Sequence, residues 1–308
     1  MNEIFGLETT DPISTNVEAT GNTEFPSEVE GCIDNILKEV TVETPSEMYT
    51  CIPEIKQNDE LCHEQIEVES NYMAAHHQIL SENRMYMTDE DIRRIEKGPD
   101  TIRVVEEGDG YIGLYTRDSV SGKSSIEIVK GGEEQLLRTT QHETNHFFSH
   151  QKDLIIPSES GGYTVFRETG LRETEYFHAS DNREYLITDT GRGMNEGVTE
   201  LLTNQQLAER SPELGRSAWL QSGYSQSLEV CSELQDIIGD DVIKNAYFGG
   251  RLEELQKSID GLAGEHGYET LVRAVDQLTY AETEEERLDG ITTAQEILCR
   301  IYERKNNI

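Results

Sequence analysis

The stretch Thr140-Gln141-His142-Glu143-Thr144-Asn145-His146-Phe147-Phe148 constrains this chain more than any other. It contains the pattern HExxH. Residues four apart on a helix share a face, roughly 40° apart around the axis, so His142 and His146 can reach one metal ion together. Glu143, beside the first histidine, then stands next to any water on that ion. A hydrolytic zinc site needs both features, a position kept for water and a nearby base. From Glu133 to about Gln151 there is no proline or glycine. Leu136, Thr140, Phe147 and Leu137, Thr144, Phe148 recur at helical spacing away from the histidines. The neighbours Gln141, Thr144, Asn145 and Phe147 are uncharged. The pattern predicts a buried metal helix, not a surface helix that carries two histidines by accident.

Downstream, Gly193 to Thr203 reads as a second helix, with carboxylates at Glu196 and Glu200 on one face. Together the two stretches resemble the gluzincin clan of zinc metallopeptidases, the thermolysin-like group. In that clan an HExxH helix is followed by a helix bearing Asn-Glu-x-x-x-Asp. Here the match is Asn195-Glu196-Gly197-Val198-Thr199-Glu200, with glutamate in place of the final aspartate. The resemblance runs from about Glu133 to Gly250. It implies an α+β, zincin-like fold: a small antiparallel sheet before the HExxH helix, then the ligand helix and a C-terminal helical bundle. It also implies one zinc per chain, held by His142, His146 and Glu196. Glu200 would accept a hydrogen bond from the non-ligating nitrogen of His142, which fixes the tautomer and orientation of a ligating histidine.

Other metal schemes fit less well. The metzincin extension requires glycine three residues after the second histidine and histidine six after it, and those positions hold Ser149 and Lys152. His150 follows His146 by one turn, but three ligands from one straight helix fit a tetrahedron poorly. It reads as a groove-lining or solvated residue. His76 and His77 are adjacent, point in different directions on a helix, and read as ordinary.

At 308 residues the chain can bury a core and has room for two domains. Its net charge of −35 argues against nucleic-acid binding, since a polyanion would be repelled. Solubility, steering of basic substrates and mimicry of an acidic polymer all remain open readings of that charge. No apolar run approaches membrane-spanning length, mean hydropathy is −0.62, and Met1 to Thr20 has neither a basic nor an apolar signal region. A cytoplasmic location is expected, and delivery by a specialised secretion system is compatible with it. Cys32, Cys51, Cys62, Cys231 and Cys299 are odd in number, widely spaced and without CxxC, so they read as reduced thiols.

Three regions are expected. Residues 1–70 read as an acidic, partly disordered segment whose only Lys or Arg residues are Lys38 and Lys56. Within it Cys32 to Val42 has helical spacing and could dock on the core or serve as a short prosegment, although an acidic linker describes it better. Residues 71–210 hold the metallopeptidase elements, and residues 211–308 form a helical subdomain. A helix is expected from about Glu67 to Asn83, with Tyr72, Met73, His76 and Leu80 on one side. A second starts at Thr88 with a capping pattern and stops at Gly98-Pro99. Thr101 to Lys130 reads as three antiparallel strands, with Ser125 to Val129 as the substrate-binding edge. Short strands are expected at Tyr163–Phe166, Glu173–His178 and Tyr185–Thr188. Ser217 to Ile238 reads as one helix ended by Gly239, followed by helices over Asp241–Phe248, Arg251–Ile259, Tyr268–Tyr280 and Glu284–Glu303.

The expected chemistry is peptide-bond hydrolysis, with Glu143 as general base for a zinc-activated water. The oxyanion formed needs a further donor. Tyr224, near the start of the long helix after the ligand helix, is the first choice, with His178 and Tyr185 as alternatives. The substrate would be a peptide or protein. The competing function class is a non-catalytic acidic interaction protein with a structural zinc site, and the intact Glu143 argues against it.

Overall fold

The computed structural model describes residues 59–307 apart from 109, 159, 160, 181 and 182. The expectations for the acidic tail before residue 59, including the Cys32–Val42 piece, lie outside these residues. The described chain is α+β, with ten helices and two small sheets. None of its helices is long and apolar enough to cross a membrane.

Helix α1 (Asp59–Asn83) begins earlier than the spacing from Glu67 suggests. Its buried stripe is Val68, Tyr72, Ala75 and Ile79, at helical spacing, and it packs on the helix that carries HExxH. Met73 is exposed, and His76 faces the Ile95 carbonyl at 3.2 Å.

Helix α2 (Asp89–Lys97) is capped by Thr88, whose side chain accepts from the Asp91 N–H, and it ends at Gly98. Asp91 is 1% exposed and gathers four donors. They are Thr88 Oγ1 at 2.7 Å, Arg94 Nη2 at 2.9 Å, His150 Nδ1 at 2.7 Å and the Gln151 N–H at 3.3 Å. Arg94 also donates to the carbonyls of Phe147 and Ser149. Those carbonyls lie at the C-terminal end of the HExxH helix, where the chain leaves no intrahelical donors for them. His150 is therefore held against a buried carboxylate, where the sequence suggested a groove-lining or solvated residue.

Strands β1 (Thr101–Val105), β2 (Gly113–Arg117) and β3 (Ser124–Val129) form a mixed sheet in the order β1-β3-β2, not an all-antiparallel one. β1 runs parallel to β3, and β2 antiparallel to it. β3 is thus the centre of the sheet and not its edge. Ile126 and Ile128 are wholly buried and demand the middle position, whereas β2, with Gly113, Thr116 and Arg117, suits an edge.

Helix α3 (Glu133–Phe148) carries HExxH and stops at Ser149, short of Gln151. The chain then enters β4 (Gln151–Pro157), a strand the helical reading had absorbed. With β5 (Gly162–Thr169), β6 (Arg172–Ala179) and β7 (Glu184–Thr190) it makes an antiparallel meander. Its register aligns Gln151 with Thr169 and Arg172, and Asp153 with Arg167 and Thr174, along one face.

Helix α4 (Arg192–Arg210) carries Glu196. The helix expected over Ser217–Ile238 is two helices, α5 (Pro212–Leu220) and α6 (Ser225–Ile238). Gln221-Ser222-Gly223 supplies the turn, in which Ser222 Oγ accepts from the Tyr224 N–H at 3.1 Å. Then come α7 (Asp240–Gly249), α8 (Leu252–Ala263), α9 (Gly267–Tyr280) and α10 (Glu284–Asn306), near the expected bounds. α4 buries Met194, Val198, Leu201 and Leu202 in a core shared with these helices. Cys231 and Cys299 are free thiols, as expected.

Burial opposes ionisation of Asp91, but His150, Thr88 and Arg94 hold its carboxyl below the ordinary carboxylate range. Its contribution to stability is therefore full above the unfolded pKa of about 3.9 and is lost as pH falls through the lower folded value. Asp91→Asn is expected to cost about 3–5 kcal/mol at neutral pH in urea unfolding. The gap from wild type should close as pH drops below about 4. A variant as stable as wild type at pH 7 would show that this carboxylate does not hold α2 to α3.

Candidate metal centre

From Arg138 to Phe148 every residue of α3 is buried, and most are polar. That is tolerable only if the polar groups find partners. The amides find theirs on α4, while Thr144 Oγ1 donates to the Thr140 carbonyl within α3. Asn145 Nδ2 donates to Thr203 Oγ1 at 3.0 Å and to Gln206 Oε1 at 2.8 Å, and Gln206 Nε2 donates back to Asn145 Oδ1 at 3.2 Å. Gln141 Nε2 reaches Gln206 Oε1 at 2.7 Å, and Arg210 Nη2 reaches Gln141 Oε1 at 2.8 Å. These bonds set the axial register of the two helices.

In that register His142, His146 and Glu196 converge, with donor atoms all within 4.8 Å of one another. His142 Nε2 and His146 Nε2 are 3.0 Å apart, and Glu196 Oε2 lies 3.3 and 3.2 Å from them. Metal–ligand bonds of about 2.0–2.1 Å at tetrahedral angles put donors about 3.4 Å apart. The triangle therefore fits a small divalent ion and leaves a fourth direction toward the cleft. Burial opposes the Glu196 charge, but His146 and His142 hold its carboxyl far below the usual range.

Glu200 lies one turn on from Glu196. Its Oε1 is 3.3 Å from His142 Nδ1, the nitrogen turned away from the triad. Arg138 Nη2 grips the same carboxylate at 2.9 and 3.2 Å. Arg138 sits one turn before His142, and that spacing is the signal by which it could have been found. Burial alone would lower the His142 pKa, yet Glu196 and Glu200 raise it well above the ordinary value.

Glu143 projects toward β2. A Cβ on Gly113 would meet Thr139 Cγ2 at 2.4 Å and Glu143 Oε1 at 2.6 Å, so a side chain there would collide with the carboxylate. Burial raises the Glu143 carboxyl, while the charges of His142 and His146 and a hydrogen bond from the Tyr115 main chain work against it. Tyr224 stands over His142 with the rings nearly parallel, 6.3 Å between centroids and 11° between planes. Burial, then the Glu196 charge, pushes its hydroxyl well up, so it stays protonated and able to donate.

These groups open onto a cleft of about 770 Å³, walled by β2 on one side and by the inner face of the meander on another. Tyr224 lines it, as do both histidines and all three glutamates. His178 and Tyr185 do not: His178 stacks on Tyr163 and pairs with Glu184, and Tyr185 is exposed. Asn195 lies behind the triad: its Nδ2 is 3.4 Å from His146 Nδ1, and its Oδ1 accepts from the Leu171 N–H at 3.1 Å, which pins the turn before β6.

No family model, no curated protein and no solved structure matches the chain.

Protein offered zinc is expected to take up about one ion per chain by mass spectrometry, and His146→Ala and Glu196→Ala to lose it. Glu200→Gln should weaken uptake by about 10–100-fold, because the His142 ring loses its anchor. His178→Ala should change nothing. Loading should fall as pH is lowered, since imidazole binds a metal only in its neutral form.

Proposed function

We propose that this protein is a zinc-dependent peptidase of zincin-like fold, acting on a peptide or protein. The observation that carries the reading is the buried Glu143 carboxylate one residue from the His142–His146–Glu196 triad, inside an open cleft. A purely structural ion is closed in by protein ligands and has no use for a base at its open side. This argues against a non-catalytic acidic interaction protein with a structural zinc.

Two imidazoles and one carboxylate are a donor set of hydrolytic zinc sites, and bound zinc would supply an acidified water and polarise the carbonyl to be attacked. Glu143 takes a proton from the attacking water and hands it to the leaving nitrogen. Its raised carboxyl brings it nearer neutrality, where such transfer works best in both directions. Tyr224 donates a hydrogen bond from its hydroxyl to the oxygen on which charge develops. The edge strand β2 offers main-chain groups along the cleft, which suits an extended peptide better than a compact small molecule.

Glu143→Gln is expected to lower turnover of a peptide library by about 10²–10⁴-fold while zinc is retained. Tyr224→Phe should lower kcat by about 10²–10³-fold with little change in KM. Gly113→Ala should also reduce kcat, because the new methyl displaces the base. The rate should fall on acidification at a higher pH than for a free glutamate of pKa about 4.3, because the base works only when deprotonated. A zinc-loaded wild type that cleaves no member of the library would end this reading.

A further inference from the structure

The chain as a whole is strongly anionic, yet its cleft is not. Apart from the histidines and Glu143, Glu196 and Glu200, every ionisable side chain of Asp, Glu, Lys or Arg type on the cleft wall is an arginine: Arg117, Arg138, Arg167, Arg172 and Arg192. Four of the five are committed. Arg138 holds Glu200. Arg172 holds Asp189 through two bonds of 2.7 Å. Arg117 and Arg167 share Asp153, at 3.2 and 2.9 Å.

Arg192 differs. No described carboxylate lies within ion-pair distance of it; its Nε is buried without a hydrogen-bond partner, as are those of Arg117 and Arg138, so the missing ion pair is what sets it apart. Its guanidinium lies over the Tyr280 ring, 4.8 Å from the centroid, a contact that holds the cation without neutralising it. It stands one turn before Glu196 on α4, so Arg192, Glu196 and Glu200 share one face and line one cleft. Its charge also reaches the Tyr224 hydroxyl, where it works against burial. A planar cation, held in place and lacking an anion beside a metal triad, is built to receive a carboxylate.

We propose that Arg192 binds a carboxylate of the substrate, so that the cleft selects peptides carrying an acidic side chain or a free chain end next to the bond that is cut. This rests on the peptidase reading for the words "bond that is cut", but the anion site itself is open to test without turnover. The test uses full-length, zinc-loaded Glu143→Gln protein and short alanine-based peptides in four forms. One internal position is glutamate or glutamine, and the C-terminus is free or amidated. Calorimetry should give at least about tenfold tighter binding for a form bearing the recognised carboxylate than for its neutral twin. The pair that shows the difference tells a side chain from a chain end. Adding Arg192→Gln should abolish the preference, and Arg192→Lys, which keeps the charge but not the fork, should restore part of it. Equal affinity for all four forms, binding of none, or a preference unchanged in Arg192→Gln would overturn the proposal. Acid-selective binding without cleavage by wild type would instead remove the peptidase reading and leave the anion site standing. Cleavage with no acid preference would do the reverse.

Discussion

The amide seam between α3 and α4 is the contact on which the centre depends. Apolar ridges would let two helices settle at neighbouring registers with small changes in energy. The bonds among Gln141, Asn145, Thr203 and Gln206 do not allow that. A slip of one residue would leave several buried amide groups without partners, at roughly 1–3 kcal/mol each, and would swing Glu196 about 100° around α4. The seam therefore couples the position of Glu196 relative to His142 and His146 to satisfaction of the core.

α3 and α4 are also each fastened at one end by a carboxylate from elsewhere in the chain. Asp91 anchors the exit of α3 through Arg94 and His150. Asp276 of α9 accepts from the Gly191 and Gly193 N–H groups at 2.8 and 2.6 Å, at the entry of α4. The first group of bonds answers the free carbonyls at a helix C-terminus, and the second answers the free N–H groups at an N-terminus. Thus the small α2 and the late α9 both bear on the triad without touching it.

The features legible in the sequence were those with a local period. Four-residue spacing alone puts His142 beside His146 and Glu196 beside Glu200, and the Thr88 and Gly98 punctuation marks α2 correctly. Strand pairing is not local, so three apolar runs could not reveal that β1 runs parallel to β3 or that β3 lies in the middle. The break at Gln221–Tyr224 was hidden by apolar spacing that continues across it, although it is this break that brings Tyr224 to His142. Gly113 was invisible for another reason. Its contribution is the absence of a side chain where Glu143 needs room, and only the tertiary contact reveals that.

The arginine-lined cleft has a kinetic corollary. An anionic peptide of the kind proposed would have to cross the field of a chain with net charge −35 before it met any arginine. Outside, like charges would slow encounter; inside, opposite charges would hold it. Mobile ions screen the outer field over a Debye length of about 10 Å at 0.1 M salt and reach a partly buried cation much less. Moderate ionic strength should thus quicken entry while sparing the grip, and such a site would work better in a salty medium than in a dilute one.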